Sequence, residues 1–341
     1  MINRVVENDC RYILKNTNLT KFKKSRILIL GGNSFIASYL QASLRFVNCD
    51  ITSISLNKPR GLFKEIYQNS KIKFYKFDLN NKKNLKKLLN KKFDFIFHCA
   101  TYGQPKKWDN NELSTINLNI NVLKSILDHS IKFKTRILYL SSALVYAIPK
   151  KKSQIISEDS EKGVGKFPTE MIYASSKLIA EQLCEIYKKR YNLPIYIARP
   201  GHTYGPGQDL DDPRVIPQIL KRAIKENKIY IYDKGKTVRT WSYIADVTIM
   251  LLNIIQYGKS TIYNVSSKDH KSIYEICESI SKIFNIKNII IRNRNLKYTY
   301  SKDTTIKLSS KKYNTEFNHK SFITFKQGIE RMIEWNRLNH K

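Results

Sequence analysis

Tyr173 and Lys177 stand four residues apart in Tyr173-Ala174-Ser175-Ser176-Lys177. In a helix that spacing places both side chains on one face. A nearby ammonium favours the phenolate, so Lys177 is expected to lower the tyrosine pKa by about 1–3. Such a tyrosine can take a proton from an alcohol, or return it, near neutral pH. Ser142 lies thirty-one residues upstream, just after the apolar run Arg136–Leu140, and its hydroxyl can share the same substrate oxygen. The spacing alone is not selective. Tyr67–Lys71, Tyr102–Lys106, Tyr146–Lys150, Tyr230–Lys234, Tyr232–Lys236 and Tyr298–Lys302 repeat it in a chain with 21 tyrosines. Of these pairs, only Tyr173–Lys177 follows a serine-ended strand at this distance and opens an amphipathic helix.

A second chemical signal is Gly31-Gly32-Asn33-Ser34-Phe35-Ile36-Ala37, directly after the apolar run Arg26–Leu30. A tight glycine turn between a first strand and a first helix lets backbone N–H groups approach a pyrophosphate, and the helix N-terminus favours its charge. Ser34 and Ala37 stand where glycines are usual. Gly31, Asn33, Ser34, Phe35 and Ile36 are the candidate contacts. The end of the second strand, Ser55-Leu56-Asn57-Lys58-Pro59-Arg60, has no acid for an adenosine ribose. Asn57 could bond a ribose hydroxyl, while Lys58 or Arg60 could pair with a 2′-phosphate. The expected cofactor is NAD, with NADP open. Asp78 closes the third strand and could meet the adenine amino group or cap its loop.

These residues need a frame. Short apolar strands are expected at Arg26–Leu30, Ile51–Leu56, Ile72–Phe77, Phe93–Phe97, Arg136–Leu140 and Ile195–Ala198. Helices are expected between them, the longest over about 171–190. Alternation of this kind means a parallel sheet covered on both faces. Residues 1–23 read as a helical extension, 24–200 as a dinucleotide-binding domain and 201–341 as a smaller domain, with some interleaving of segments. The chain has 341 residues, enough for one large domain or two moderate ones.

Composition narrows the classes. Hydrophobic residues at 42% and charged residues at 26% exclude wholesale disorder and a membrane bundle. No apolar run reaches the ~18 residues of a bilayer span, and the start lacks a secretory pattern. Five scattered cysteines without a CxxC pair fit a reducing cytoplasm, and no metal site is expected. The net charge of +33 could attract nucleic acid, a membrane surface or an anionic metabolite. Lys, Asn and Ile are frequent throughout, and no helix-turn-helix, finger or aromatic-basic signature appears. An anionic small ligand is therefore expected, not nucleic acid.

Together the motifs resemble an extended short-chain dehydrogenase/reductase of the NAD-dependent nucleotide-sugar epimerase/dehydratase family, over roughly residues 24–335. Ile27–Ala37 is similar to its glycine motif and His98-Cys99-Ala100 to its fourth-strand ending. Pro105-Lys106-Lys107-Trp108, Thr115-Ile116 and Asn119 match spacings seen in UDP-glucuronate decarboxylases. So do Ile197–Gly207, Asp211-Asp212-Pro213-Arg214-Val215 and Arg239–Asp246. The resemblance implies a Rossmann-type doubly wound parallel sheet with a smaller C-terminal substrate-binding domain. It implies Ser142, Tyr173 and Lys177 as catalytic residues, and Lys177, Leu79 and Ala100 as further cofactor contacts. It also implies His202, Arg214 and Arg239 as the grip on a nucleotide-diphosphate sugar, and a homodimer.

One departure bears on the reaction. The decarboxylases and 4,6-dehydratases of this family carry an acid just after the catalytic Ser/Thr, where this chain has Ala143 and Leu144. Neither can transfer a proton. The reading is therefore an epimerase or reductase moving hydride at carbon 4 of a nucleotide-linked hexose, for surface polysaccharide or glycan precursors. UDP-glucuronate decarboxylase or sugar 4,6-dehydratase is the alternative. A non-catalytic dinucleotide-sensing regulator is the alternative from another class.

Overall fold

The computed structural model describes residues 2–103, 110–149, 151–163, 168–231, 234–292, 305–319 and 322–339. The Pro105–Trp108 motif lies outside them. The chain opens with α1 (Arg4–Lys15), β1 (Arg26–Leu30), α2 (Phe35–Leu44), β2 (Asp50–Ser55), α3 (Gly61–Gln68), β3 (Lys73–Lys76), α4 (Lys82–Leu89) and β4 (Phe95–His98). Next, α5 (Glu112–Asn117) runs through a π-turn at Leu118–Val122 into α6 (Leu123–Phe133). Then come β5 (Arg136–Leu140), the short β6 (Ile155–Ile156), α7 (Pro168–Tyr191) and β7 (Ile195–Pro200).

The rest comprises β8 (His202–Tyr204), α8 (Val215–Glu226), β9 (Ile229–Ile231), β10 (Val238–Tyr243), α9 (Ile244–Tyr257), β11 (Ile262–Val265) and β12 (His270–Ser272). It closes with α10 (Ile273–Phe284), β13 (Ile289–Ile291), β14 (Thr305–Leu308), α11 (Lys311–Phe317) and α12 (Phe325–Asn339).

Seven strands form one parallel sheet in the order β11-β7-β5-β4-β1-β2-β3. The order reverses at β1, whose neighbours are β2 and β4, so a crevice opens at the C-terminal ends of β1 and β4. This is the doubly wound architecture implied by the six apolar strands. β1, β4, β5 and β7 are buried on both faces and read as near-continuous apolar runs, whereas the edge strand β3 is mostly exposed and carries Lys73 and Lys76. The seventh strand, β11, comes from the second half of the chain and pairs with β7, Ile262 opposite Ile197. α9 also returns to this sheet. It packs on β5 and β7 and against α1 and α2, and nearly every residue it carries is buried.

A second sheet, β12-β10-β14-β6 with β8 alongside β10, is entered from the C-terminal end of β7 through Gly201. β6, from the first half, joins it through β14. α1 buries Val5, Val6, Asp9, Cys10 and Ile13, a helical stripe, and packs on α2, α9 and α12. Its first turn is capped by Asn3, whose side chain accepts the Val5 N–H at 2.9 Å. No helix among the described residues is long and apolar enough to cross a membrane.

Candidate active site

The crevice begins at the turn after β1. Gly31 has φ +84°, a conformation that favours glycine, and a Cβ there would lie 2.8 Å from the Ala100 backbone. The N–H groups of Gly31 and Gly32 both donate to the Ile54 carbonyl at 2.9 Å, fastening the turn to β2. A Cβ on Gly32 would meet Ser53 Oγ at 2.0 Å. The turn thus sits as low as the chain allows and leaves a shallow cradle before α2. Asn33 Nδ2 donates to the Asn57 and Lys58 carbonyls at 2.9 and 3.0 Å, tying the cradle to the end of β2.

Ser34 begins α2 with an extended backbone and makes no side-chain cap bond. Its Oγ is buried without a hydrogen-bond partner among the described residues, as are Asn33 Oδ1 and Thr101 Oγ1. Unpaired buried oxygens at a helix N-terminus cost free energy until something bonds them. Three such oxygens around a glycine turn fit a pyrophosphate and its riboses. The residues present therefore suit a dinucleotide, with Thr101 as a further candidate for its contacts that the sequence did not single out.

From the cradle the crevice passes β4. His98, fully buried, uses Nε2 to donate to the Leu118 carbonyl at 3.0 Å. Burial, followed by the charge of Lys177, pushes its imidazole down to about 3. The end of β4 therefore reaches Lys177. That side chain is buried beneath the crevice, and its Nζ donates to the Leu140 carbonyl at 2.7 Å. Its Nζ lies 4.5 Å from the ring centre of Tyr139 and 5.7 Å from that of Tyr173. Tyr173 is hydrogen-bonded to Ser142, and Ser142 Oγ also accepts the Leu144 N–H at 3.2 Å, capping the turn Ala143–Val145. The sequence-expected trio thus converges at the ends of β5 and α7.

The electrostatics differ from expectation. Burial pushes Tyr173 up to about 12, against which only the Ser142 hydrogen bond acts. Burial also pushes Lys177 down to about 7. At the pH where Tyr173 would ionise, a lysine with its pKa at about 7 has already lost its charge, so the expected lowering of the Tyr173 pKa by Lys177 is not found.

Behind the trio lies a buried ion pair that motif reading passed over. Glu181, one turn after Lys177, accepts Arg199 Nε at 2.9 Å, Arg199 Nη2 at 2.6 Å and Ser141 Oγ at 2.6 Å. Arg199 Nη1 reaches Tyr146 Oη at 2.8 Å and the Glu158 carbonyl at 3.0 Å. The pair locks α7 to the strand ends of β5 and β7. Two signals could have found it. Glu181 continues the four-residue spacing of Tyr173 and Lys177, and an arginine in an all-apolar strand requires a partner.

Two residues beyond β7, His202 opens β8. Its ring sits 5.0 Å from that of Trp241 on β10. His202 is solvent-exposed, and surrounding protein together with the charges of Arg239 and Arg214 lowers its imidazole below the usual range. The three substrate candidates therefore share one electropositive corner. Arg214, however, has its fork on Asp212, with Nε to Oδ1 at 2.9 Å and Nη2 to Oδ2 at 2.5 Å. Arg239 Nη1 donates to the Val238 carbonyl at 2.9 Å. Of the remaining cofactor candidates, Asp78 Oδ1 accepts the Asn80 N–H at 2.9 Å and so closes its own turn. Leu79 and Ala100 are buried beside the crevice, and the Asn57 side chain is exposed.

The crevice and cradle form a doubly wound, dinucleotide-binding fold with Ser142, Tyr173 and Lys177 gathered at its strand ends. A family model described as "NAD dependent epimerase/dehydratase family" matches residues 27–266, and the chain belongs to that family. It is 25% identical over 323 residues to a UDP-N-acetyl-alpha-D-glucosaminuronate decarboxylase of Bacillus cytotoxicus, an alignment covering 92% of this chain and 98% of that protein. It is 24% identical to UDP-glucuronic acid decarboxylase 1 of Xenopus tropicalis, over 78% of this chain and 62% of that one. Among solved structures, the fold is shared with a UDP-glucose 4-epimerase of Thermotoga maritima in complex with UDP-glucose. That pair has TM-score 0.81 and 17% identity, covering 93% of this chain and 100% of the other. A UDP-glucuronic acid 4-epimerase of Bacillus cereus with UDP-glucuronic acid and NAD aligns with TM-score 0.78 and 23% identity, over 92% and 99% of the two chains.

Proposed function

We propose that the protein binds NAD in the Gly31–Ile36 cradle and moves hydride at carbon 4 of a nucleoside-diphosphate hexose, as an epimerase or reductase. The observation that carries this reading is the convergence of Ser142, Tyr173 and Lys177 at the crevice with no carboxylate on Ala143 or Leu144 beside them. Bound NAD would accept and return the hydride. In this reading Tyr173, ionised to the phenolate once the cationic nicotinamide ring of NAD is beside it, takes the proton of the carbon 4 hydroxyl and later returns it, Ser142 shares that oxygen, and Lys177 holds the nicotinamide ribose. Asn33, Ser34, Phe35 and Ile36 line the diphosphate, while Asn57, Asp78, Leu79 and Ala100 border the adenosine. His202, Arg214 and Arg239 take the sugar nucleotide, since guanidinium forks suit phosphate oxygens. NAD is preferred to NADP on the strength of the neighbours' ligands. A cytoplasmic homodimer is part of the reading. Ile179 and Ile186, two turns apart and exposed on α7, offer it a contact stripe.

The decarboxylase names of the relatives favour a second reading, loss of the carbon 6 carboxyl from a 4-keto intermediate. Incubation of the holoenzyme with UDP-glucose and with UDP-glucuronate labelled at carbon 6 separates them. A carbon 4 epimer is the expected product. Labelled CO₂ would transfer the assignment to decarboxylation, and a 4-keto-6-deoxy sugar to dehydration. Bound NAD with no turnover across UDP-, dTDP-, CDP- and GDP-sugars would leave a dinucleotide-sensing regulator.

A further inference from the structure

The Asp9 carboxylate of α1 is fully buried, and no step above uses it. Its Oδ2 accepts Tyr39 Oη at 3.0 Å and Tyr243 Oη at 2.6 Å. Its Oδ1 accepts Arg331 Nη1, from α12, at 2.7 Å. The two tyrosines belong to different halves of the site. Tyr39 lies on α2, the helix whose first residues form the cradle, and its ring meets Phe35 edge-on at 5.9 Å. Tyr243 ends β10, the strand of Arg239, and its ring meets Tyr204 of β8 edge-on at 5.8 Å. β8 in turn carries His202, opposite Trp241 in register. One carboxylate oxygen therefore joins the cofactor-cradle helix to β10, the strand of Arg239, and, through the Tyr243–Tyr204 ring contact, to β8 and His202.

We propose that α1 is a strap and Asp9 a positioning residue, which through Tyr39 and Tyr243 sets the distance between the dinucleotide half-site and the sugar-nucleotide half-site and so couples the two binding events. The proposal rests on the functional reading above. Neither tyrosine is assigned a ligand contact. Both are buried, so removing one hydroxyl leaves the packing of each ring intact and the Asp9–Arg331 pair in place. The coupling follows from rigidity. A ligand that seats one half fixes α1, and α1 fixes the other half before its ligand arrives.

The test measures the Kd for NAD with and without saturating UDP-glucose. In the wild type, UDP-glucose is expected to lower that Kd by a factor of about 5–150, the range usual for coupled sites. Tyr39→Phe and Tyr243→Phe should each bring that ratio close to one. Tyr12→Phe is the control. It removes another α1 hydrogen bond, Tyr12 Oη to Asp246 Oδ1 at 3.1 Å, without touching Asp9. It should lower the melting temperature like the other two and keep the wild-type ratio. An unchanged ratio in Tyr39→Phe and Tyr243→Phe, equal loss in all three variants, or a wild-type ratio of one would overturn the strap. Failure of the wild type to bind NAD or UDP-glucose at all would instead overturn the functional reading on which the strap depends.

Discussion

Lys177 holds its ammonium inside the protein, on the Leu140 carbonyl, with burial pushing its pKa down to about 7 from an ordinary 10.5. The consequence for stability has a definite sign. Between pH 7 and 10.5 the unfolded chain binds a proton at this lysine that the folded chain releases, so this group's cost to folding shrinks as pH rises. The melting temperature of the wild type, compared with that of Lys177→Met, should therefore climb from pH 7 to pH 10. A flat difference would mean that the lysine keeps its proton in the fold. For Tyr173 the matching experiment is kinetic. Tyr173→Phe keeps the ring and loses the proton carrier, and turnover should fall by about 10²–10⁴-fold, the usual worth of a positioned acid–base group. NAD content measured in the purified variant should stay the same. The pair could be picked from the sequence because a serine-ended strand and a helix face singled it out from its decoys. The charge states could not, because desolvation depends on what the rest of the chain packs around the site. The capture of Arg214 by Asp212 was hidden for a related reason: the Asp-Asp-Pro-Arg run does not say which acid turns back.

At the scale of elements, the β1–α2 turn owes its shape to two glycines with different neighbours. Gly31 combines a positive φ with a backbone wall at Ala100, whereas Gly32 faces only the Ser53 hydroxyl. Gly31→Ala should cost about 2–4 kcal/mol, from left-handed strain plus overpacking, with no second-site rescue. Gly32→Ala should be rescued by Ser53→Ala, which removes the obstructing oxygen and leaves the next atom, Ser53 Cβ, at 3.4 Å. Urea denaturation of the two singles and the double gives the coupling directly. Strands of this kind were legible because burial on both faces leaves unbroken apolar runs. β11 was not, since its four residues, Ile262–Val265, show no period of their own and owe their place to β7. Nor was the burial of Asp9, one of two acids, with Glu7, in a polar and basic extension.

At the scale of the molecule, the two halves exchange parts. α9 and β11 complete the first sheet from the second half, and β6 reaches the second sheet from the first. Residues 1–200 expressed alone would expose the face of β5 and β7 that α9 covers and leave β7 as an open edge. That fragment is expected to bind a hydrophobic dye and to show no cooperative melting, whereas an independently folding fragment would melt sharply. The same exchange sets an order of events on the ribosome. β7 is made 65 residues before the end of β11. At about 5–20 residues per second, its edge stays unpaired for roughly 3–13 s of every round of synthesis. During that interval the nascent cofactor half has a strand waiting for a partner, and a neighbouring chain on the same message can offer one. Slow translation between residues 200 and 265 should therefore lower the soluble yield more than equal slowing anywhere after residue 265.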